Sequence, residues 1–533
     1  MSRRLGGRWE LTGALVARSA VHVGNIRDGI SRELTQARDG LGRPVVPGTA
    51  LAGVIRAASP EEFRDHQLWG CVPGRTAEGL DDGLGRASWV WVDDATAPPE
   101  TVPEYRETGS IDRITGTAAR GRLFSREVLP AGTRFAFRLA VDDPESGKYT
   151  HARRLIEWIA GLLGGPGVAV GAATSRGLGR VQLEEAELRH MDFSTKVGMI
   201  AALRGEICNE TLPLTERSAL PHGVVRIMIP WKPHGPIMVQ VSSDADTISA
   251  YPMTAIVDGA PRLVLPGSSI KGVLRTHAER IMRTVTGKEP PDEFADQMKE
   301  DRLAPVGSLF GMAGERKDTS NQGWRGAVTA HECVSSVPLP ADLWDMVRLA
   351  QPQPDTSQFP ADADSDRIAR ARALKAINEL NQKLTGLRFV ATNHVAVDRW
   401  TGSAADGRLF AVLEPYATGE QSWSPIIVDV DTSRLGEHAD LALTLVLLIL
   451  RDLCDGWISF GHSTTRGKGS IRVAAEDIVF TASTGVSGSW STVSGCTFAA
   501  VLDDTNLVET LLAAWPPEYA TVAHKEAPEG DEA

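Results

Sequence analysis

Three short motifs occur twice in this chain, in the same order, so whatever architecture it adopts must be built twice over. RPVVPGTALAGVIR (43–56) matches RLVLPGSSIKGVLR (262–275) at seven of fourteen positions. IDRITGTAARGRLF (111–124) matches VDRWTGSAADGRLF (397–410) at ten of fourteen, and GAATSRGLGRV (171–181) matches GHSTTRGKGSI (461–471) at five of eleven. In a chain of 533 residues each repeat is long enough to bury its own core. The spacing predicts a first module over 1–190, a link over 191–221 and a second module over 222–480. A C-terminal extension over 481–533 follows, with a disordered end. The first and second motifs start 68 residues apart in one repeat and 135 apart in the other, which places an insertion near 330–385. It includes QPQPDTSQFPADADSD (351–366), a stretch too polar to bury a core and expected to be mobile.

Within each repeat, strand and helix patterns alternate. Residues 8–24 alternate polar and apolar side chains like a strand, and 43–58 read as a short strand, a Pro-Gly turn and a helix capped by Thr49. The second copy repeats this with Ser268 or Ser269 as the cap. SWVWVDDA and TRFAFRLAVDD are further strands, and HARRLIEWIAGLLGG is an amphipathic helix ending at glycines. This mixture predicts an α+β fold of two tandem modified ferredoxin-like modules.

Composition narrows the function classes. No apolar run is long enough to span a membrane, and LALTLVLLIL (441–450) reads as a buried helix. The first residues lack a secretory apolar core, and the five cysteines form no CxxC pair, so a cytoplasmic location is expected and a zinc site has no support. A formal charge of −12 argues against nucleic acid, yet residues 1–60 carry nine Arg against four acids, which leaves room for a basic face on an acidic body.

The repeated positions suggest chemistry. A helix start has unpaired backbone N–H groups and the positive end of the dipole, so Gly48 and Thr49, or Ser268 and Ser269, could receive an anion. Lys271 and Arg275 lie on one helix face and would add charge; the first repeat has Ala52 at the Lys position and keeps Arg56. A bare helix start explains the same residues. The glycine loops could approach a phosphate with Arg176 or Arg466, but their spacing is not that of a nucleotide-binding P-loop, and a plain turn is the competing reading. Asp112 with Arg113, and Asp398 with Arg399, fit either a shared ligand loop or ion pairs at a loop base.

The ordered set PGSSxKGxxR, DRxTGxAxxGxLF and TSRGxG resembles the RAMP superfamily, and most of all the backbone subunits of type III CRISPR effector complexes, with a fused double subunit similar to the III-D arrangement. The resemblance implies RNA-recognition-motif-like modules with thumb-like insertions, tiled along a guide CRISPR RNA. It implies RNA contacts from Gly48, Thr49, Arg56, Arg113, Arg176, Ser268, Ser269, Lys271, Arg275, Arg399 and Arg466. It further implies endoribonuclease cleavage of a complementary single-stranded target by acids in the loop before the Pro-Gly motif: Asp28 or Glu33 in the first repeat and Asp246 in the second. Asp28 and Asp246 would hold a divalent metal, Mg2+. Glu33 lies nearest the family's catalytic position, which is usually Asp; in the second repeat Ala250 or Tyr251 falls there. The implied partners are the guide, the target and other effector subunits, with no membrane. Two alternatives stay open: a scaffold that does not cut, and a transcript-processing ribonuclease using His22 or His462.

Overall fold

The computed structural model describes all residues except 1–4, 25–32, 65, 72–84, 145–149, 207, 211–219, 243–247, 299–302, 315–322, 350–362, 420–422 and 517–533. The chain forms two compact units. One comprises Met1–Arg106, Phe124–Thr174 and Leu178–Pro221; the other comprises Glu107–Leu123, Ser175–Gly177 and His222–Ala533. The second unit thus takes in two short segments from the first repeat, and both carry repeated motifs.

In the first unit the central strands run in the order Arg180–Asp192, Gly7–Ala17, Arg134–Asp143 and Val90–Val92, all antiparallel. Numbered along the chain that is 4-1-3-2, with the helix Gly48–Ala58 between strands one and two and the helix His151–Gly164 between three and four. This is the split βαβ arrangement of a ferredoxin-like fold. Leu11 faces Leu188 on one side and Leu139 on the other, all three fully or nearly fully buried. The long helix begins where Thr150 Oγ1 accepts from Arg153 N at 3.2 Å. It lays Leu155, Ile156, Ile159 and Leu163 into the core, the three-and-four spacing of an amphipathic helix.

The second unit repeats the order. Val479–Ala482, Val224–Ile229, Ile426–Asp431 and Val328–Ala330 form its sheet, with Gly267–Thr286 and Ala439–Cys454 as the two helices. Ile270, Leu274, Ala278 and Met282 recur every four residues along the first helix and are buried. The apolar run 441–450 forms the interior of the second.

The insertion expected near 330–385 adds to the core of this unit. Its helices Ala341–Leu349 and Ala363–Lys383 bury Trp344, Ala373, Ile377 and Leu380 in the unit's main core, and residues 363–366 of the polar stretch open the second of them. Residues 351–362 lie outside the described residues. The segment after 481 is likewise part of that core through Trp490, Phe498, Leu507 and Leu511; its end lies outside the described residues. In the first unit's link, Lys196–Leu203 is a helix capped by Thr195.

Candidate nucleic-acid interface

The two Pro-Gly helices start on the same backbone logic. Their N-caps are Pro47 and Pro266, with no side-chain cap hydrogen bond, rather than the expected Thr49 and Ser268 or Ser269. Proline fits because the first turn needs no N–H from that residue. The glycine that follows is required by packing: a Cβ on Gly48 would lie 2.1 Å from the Val92 carbonyl oxygen, and one on Gly267 2.2 Å from that of Ala330. Each helix therefore starts pressed against the second strand of its own sheet. Thr49 is exposed, Gly48 and Gly267 are buried, and Ser268 and Ser269 are half-buried.

Electrostatically the two starts differ. In the first repeat Gly48 N donates to Asp94 Oδ1 at 2.7 Å, so a carboxylate of the chain itself already occupies the positive end of the helix. Ala52 adds no charge there, and Arg56 sits half-buried in the last turn. In the second repeat Lys271 is 8% exposed, and its Nζ donates to the Val328 carbonyl at 2.7 Å. Desolvation, then the positive charges of Arg176, Arg325 and Arg275, push its pKa down to about 7. Desolvation and Arg275 lower Arg176 as well, although that side chain keeps an exposed face. Arg325 is lowered by desolvation and Arg434, against the opposing charge of Asp431. Arg275 donates to Glu279 Oε1 at 2.6 Å and to the Gly311 carbonyl. Four cations thus converge on one helix start, and mutual repulsion depresses two of them. A phosphodiester oxygen placed among them would relieve that repulsion, which is what an anion site requires. Arg325 has no counterpart in the repeated motifs, so sequence matching does not reveal it.

The glycine loops also repeat a geometry. Both contain a one-turn helix, Thr174–Arg176 or Thr464–Arg466, entered through a non-glycine residue with positive φ, Ala173 at 59° and Ser463 at 58°. Gly171 and Gly461 have φ of 81° and 87°, and a Cβ there would meet the carbonyl of His22 or Met238 at 2.1 or 2.2 Å. These glycines are fold requirements, and the arginine is the chemistry the loop displays. Arg466 is exposed. Lys468 is tied to the buried Glu414, which also accepts from Thr392 Oγ1 at 3.0 Å.

The second motif is a hairpin tip in both repeats, and its Asp closes the turn instead of forming the ion pair with the next Arg that was one of the two readings. Asp112 Oδ1 accepts from Ile114 N at 2.9 Å and Thr115 N at 3.0 Å; Asp398 Oδ1 accepts from Trp400 N at 2.8 Å and Thr401 N at 2.9 Å. Gly116 and Gly402 follow with φ of 65° and 68°. The hydroxyl pair behind them, Thr115 with Thr117 and Thr401 with Ser403, repeats at 2.9 and 2.8 Å. The invariant residues fold an Asx turn. The arginines diverge: Arg113 Nε donates to Glu279 Oε2 at 2.5 Å, whereas Arg399 is exposed. Beside Arg399, Trp400 is 96% exposed at the end of the long hairpin Leu387–Val397 and Ala404–Ala417.

Of the proposed catalytic acids, Asp28 and Asp246 lie outside the described residues. Glu33 opens the short strand Glu33–Leu34, which pairs with Ser125 and Arg126; its side chain is not among those described. Among the described residues no group of three His, Cys, Asp or Glu could hold a metal ion. His22 is buried, with Nδ1 2.6 Å from the Glu127 carbonyl oxygen, and burial lowers its pKa. His462 is half-buried and is lowered by desolvation, then by Arg466 and His394. No helix among the described residues is long and apolar enough to cross a membrane.

Comparison with known proteins agrees with the duplicated fold. The CRISPR system Cms endoribonuclease Csm3 of Methanocaldococcus jannaschii is 25% identical over 209 residues, which cover 34% of this chain and 82% of that protein. Its match therefore has the length of a single repeat. The RAMP superfamily profile matches twice, at residues 14–182 and 254–472, together most of the chain. With two 4-1-3-2 sheets carrying the same three motifs, the chain belongs to the RAMP superfamily, with the module present in tandem.

Proposed function

We propose that this protein is a guide-RNA-binding backbone subunit of a type III CRISPR effector complex in the cytoplasm, its two modules occupying adjacent positions on one CRISPR RNA. The observation that carries this reading is the cluster of the buried Lys271, the half-buried Arg275 and the exposed Arg176 and Arg325 at the second Pro-Gly helix start, which offers cationic side chains to an anion. The name of the relative from Methanocaldococcus jannaschii supports the CRISPR assignment. Grip on phosphates makes binding sequence-blind and salt-sensitive. The exposed ring of Trp400 adds a surface on which a base can stack.

Cleavage of the paired target is the second part of the proposal. Asp28 or Glu33 and Asp246 belong to the loops before the two Pro-Gly motifs, and carboxylates there would hold a divalent ion, Mg2+, or take a proton from the attacking 2′-hydroxyl. A guide-processing role is disfavoured for His22, whose Nδ1 is already engaged with a backbone carbonyl in the core.

The test is purification of the chain expressed beside its CRISPR array. Guide RNA with a repeat-derived handle should co-purify, and Lys271→Met should release it at a lower salt concentration than wild type. Absence of RNA at low salt would overturn the reading. Asp28→Ala and Asp246→Ala should each abolish one cut in a bound target; unchanged cutting would leave a scaffold.

A further inference from the structure

A cleft of about 310 Å3 opens in the second unit between the ribbon formed by Lys232–Pro233 with Ile471–Arg472 and the end of the hairpin strand Ala404–Ala417. Lys232, His234 and Arg472 line it, with Thr418 and Gly419 on the hairpin side, and none of its described lining residues is an acid. It shares no residue with the cations at the Pro-Gly helix start. Lys232 stands opposite Arg472 in register, and His234 N donates to the Ser470 carbonyl at 2.8 Å, so the three side chains leave the same face of the ribbon. All three are exposed. Like charges placed directly opposite each other weaken such a ribbon unless an opposite charge lies between them.

The first repeat has the same backbone with its charges closed. Val16 pairs with Gln182, and Arg18 N donates to the Arg180 carbonyl at 2.7 Å, so Val16, Arg18 and Gln182 stand where Lys232, His234 and Arg472 stand. There Arg18 donates to Gln182 Oε1 and to Glu184 Oε1, both at 2.7 Å, and Glu184 also accepts from Arg134. In the second repeat Val16 is replaced by Lys232, Gln182 by Arg472 and Glu184 by Ala474. One repeat supplies its own acceptors, and the other presents donors at the same place.

We infer that this cleft binds a phosphomonoester, the terminal phosphate of an RNA strand or of a free nucleotide. Ammonium, guanidinium, imidazole and the Thr418 hydroxyl can all donate to phosphate oxygens. A phosphomonoester carries about two negative charges at neutral pH and matches the two fixed cations, Lys232 and Arg472. An internal phosphodiester carries a single charge and answers only half of their repulsion. The volume lies near the lower limit of small-ligand pockets, about 300 Å3, which suits a phosphate with its sugar and excludes a folded partner. The site does not depend on how the guide is held.

The test is titration of the purified full chain, with the RNA it carries, by a short labelled RNA in three forms: 5′-phosphorylated, 3′-phosphorylated and without a terminal phosphate. One phosphorylated form should bind about tenfold or more tightly than the form without phosphate. That preference should vanish in the double variant Lys232→Gln with Arg472→Gln, both exposed positions, and in Ala474→Glu, which restores the acceptor of the first repeat. Adenosine 5′-monophosphate separates the sources: displacement of the probe assigns the cleft to a free nucleotide, and failure to displace it assigns the cleft to a strand end. Equal binding of all three forms, a preference that survives both variants, or equal competition by a short polyglutamate peptide would overturn the inference. So would a preference that appears only with Glu420→Gln, because that acid, next to Gly419 and outside the described residues, would then be the occupant. Guide RNA is quantified on the same samples. A chain without guide that still prefers a terminal phosphate would refute the proposed function and leave the cleft standing; guide without that preference would do the reverse.

Discussion

The two Pro-Gly helices share a backbone and differ in charge. Both begin at a proline, and both press a glycine against the neighbouring strand, at Val92 or Ala330. The first then satisfies its own positive end with Asp94, while the second surrounds itself with Lys271, Arg176, Arg275 and Arg325. The glycine of such a motif thus reports on folding, and its ligand chemistry resides in side chains that duplication leaves free to change. A motif match alone would assign both helices the same role.

Four measurements would break or sharpen this contrast. The largest effect is expected where the repeats agree. Gly48→Ala and Gly267→Ala should each destabilise their unit by about 3 kcal/mol or more, read from urea titration, because the added methyl meets a backbone carbonyl. A stable Gly267→Ala protein that had lost only RNA would show that the glycine serves the ligand. Next, Lys271→Met should weaken guide binding by about tenfold or more and reduce its salt dependence by about one charge, whereas Ala52→Met should leave both unchanged. Equal losses in filter binding would erase the distinction between the helices.

A smaller effect should appear at the hairpin tips. Asp112→Ala and Asp398→Ala remove the same turn and should each lower the melting temperature slightly, with Asn substitutions recovering most of the loss. The smallest is a pH dependence. The Lys271 pKa lies near 7 in the folded protein, below its ordinary 10.5, and a bound phosphate would raise it. Guide affinity should therefore fall a few-fold between about pH 6 and 9, and the Lys271→Met variant should show a flatter profile. Folding stability has the opposite sign: between 7 and 10.5 the unfolded chain holds the extra proton, so the contribution of Lys271 rises with pH.

The duplication, the α+β order and the two buried helices were legible in the sequence because they rest on local periodicity and exact repetition. The helix caps were not. Thr49 and Ser268 have favoured cap chemistry, but the acceptor for Gly48 N is Asp94, in a connection between two strands 46 residues away, and no local preference encodes that distance. The role of Asp112 and Asp398 was partly readable, since an Asp three residues ahead of a Thr-Gly pair fits an Asx turn. Arg325 was hidden because it belongs to one repeat only. Glu279 carried a signal in its position four residues after Arg275, yet its second partner, Arg113, comes from 166 residues earlier. The insertion was placed by repeat spacing, but that spacing does not encode that Trp344 and Leu380 join the main core of the unit.

The hairpin tips are folded by their own side chains, each turn closed by an Asp, a Thr and a hydroxyl partner without help from a core. A loop so preorganised loses little conformational freedom when it docks. Within one chain such docking proceeds at an effective concentration of about millimolar, so the tip that carries Arg113 meets Glu279 as an intramolecular event. The contact of Arg113 with Glu279 therefore ties two segments far apart in sequence into the second unit at little entropic cost.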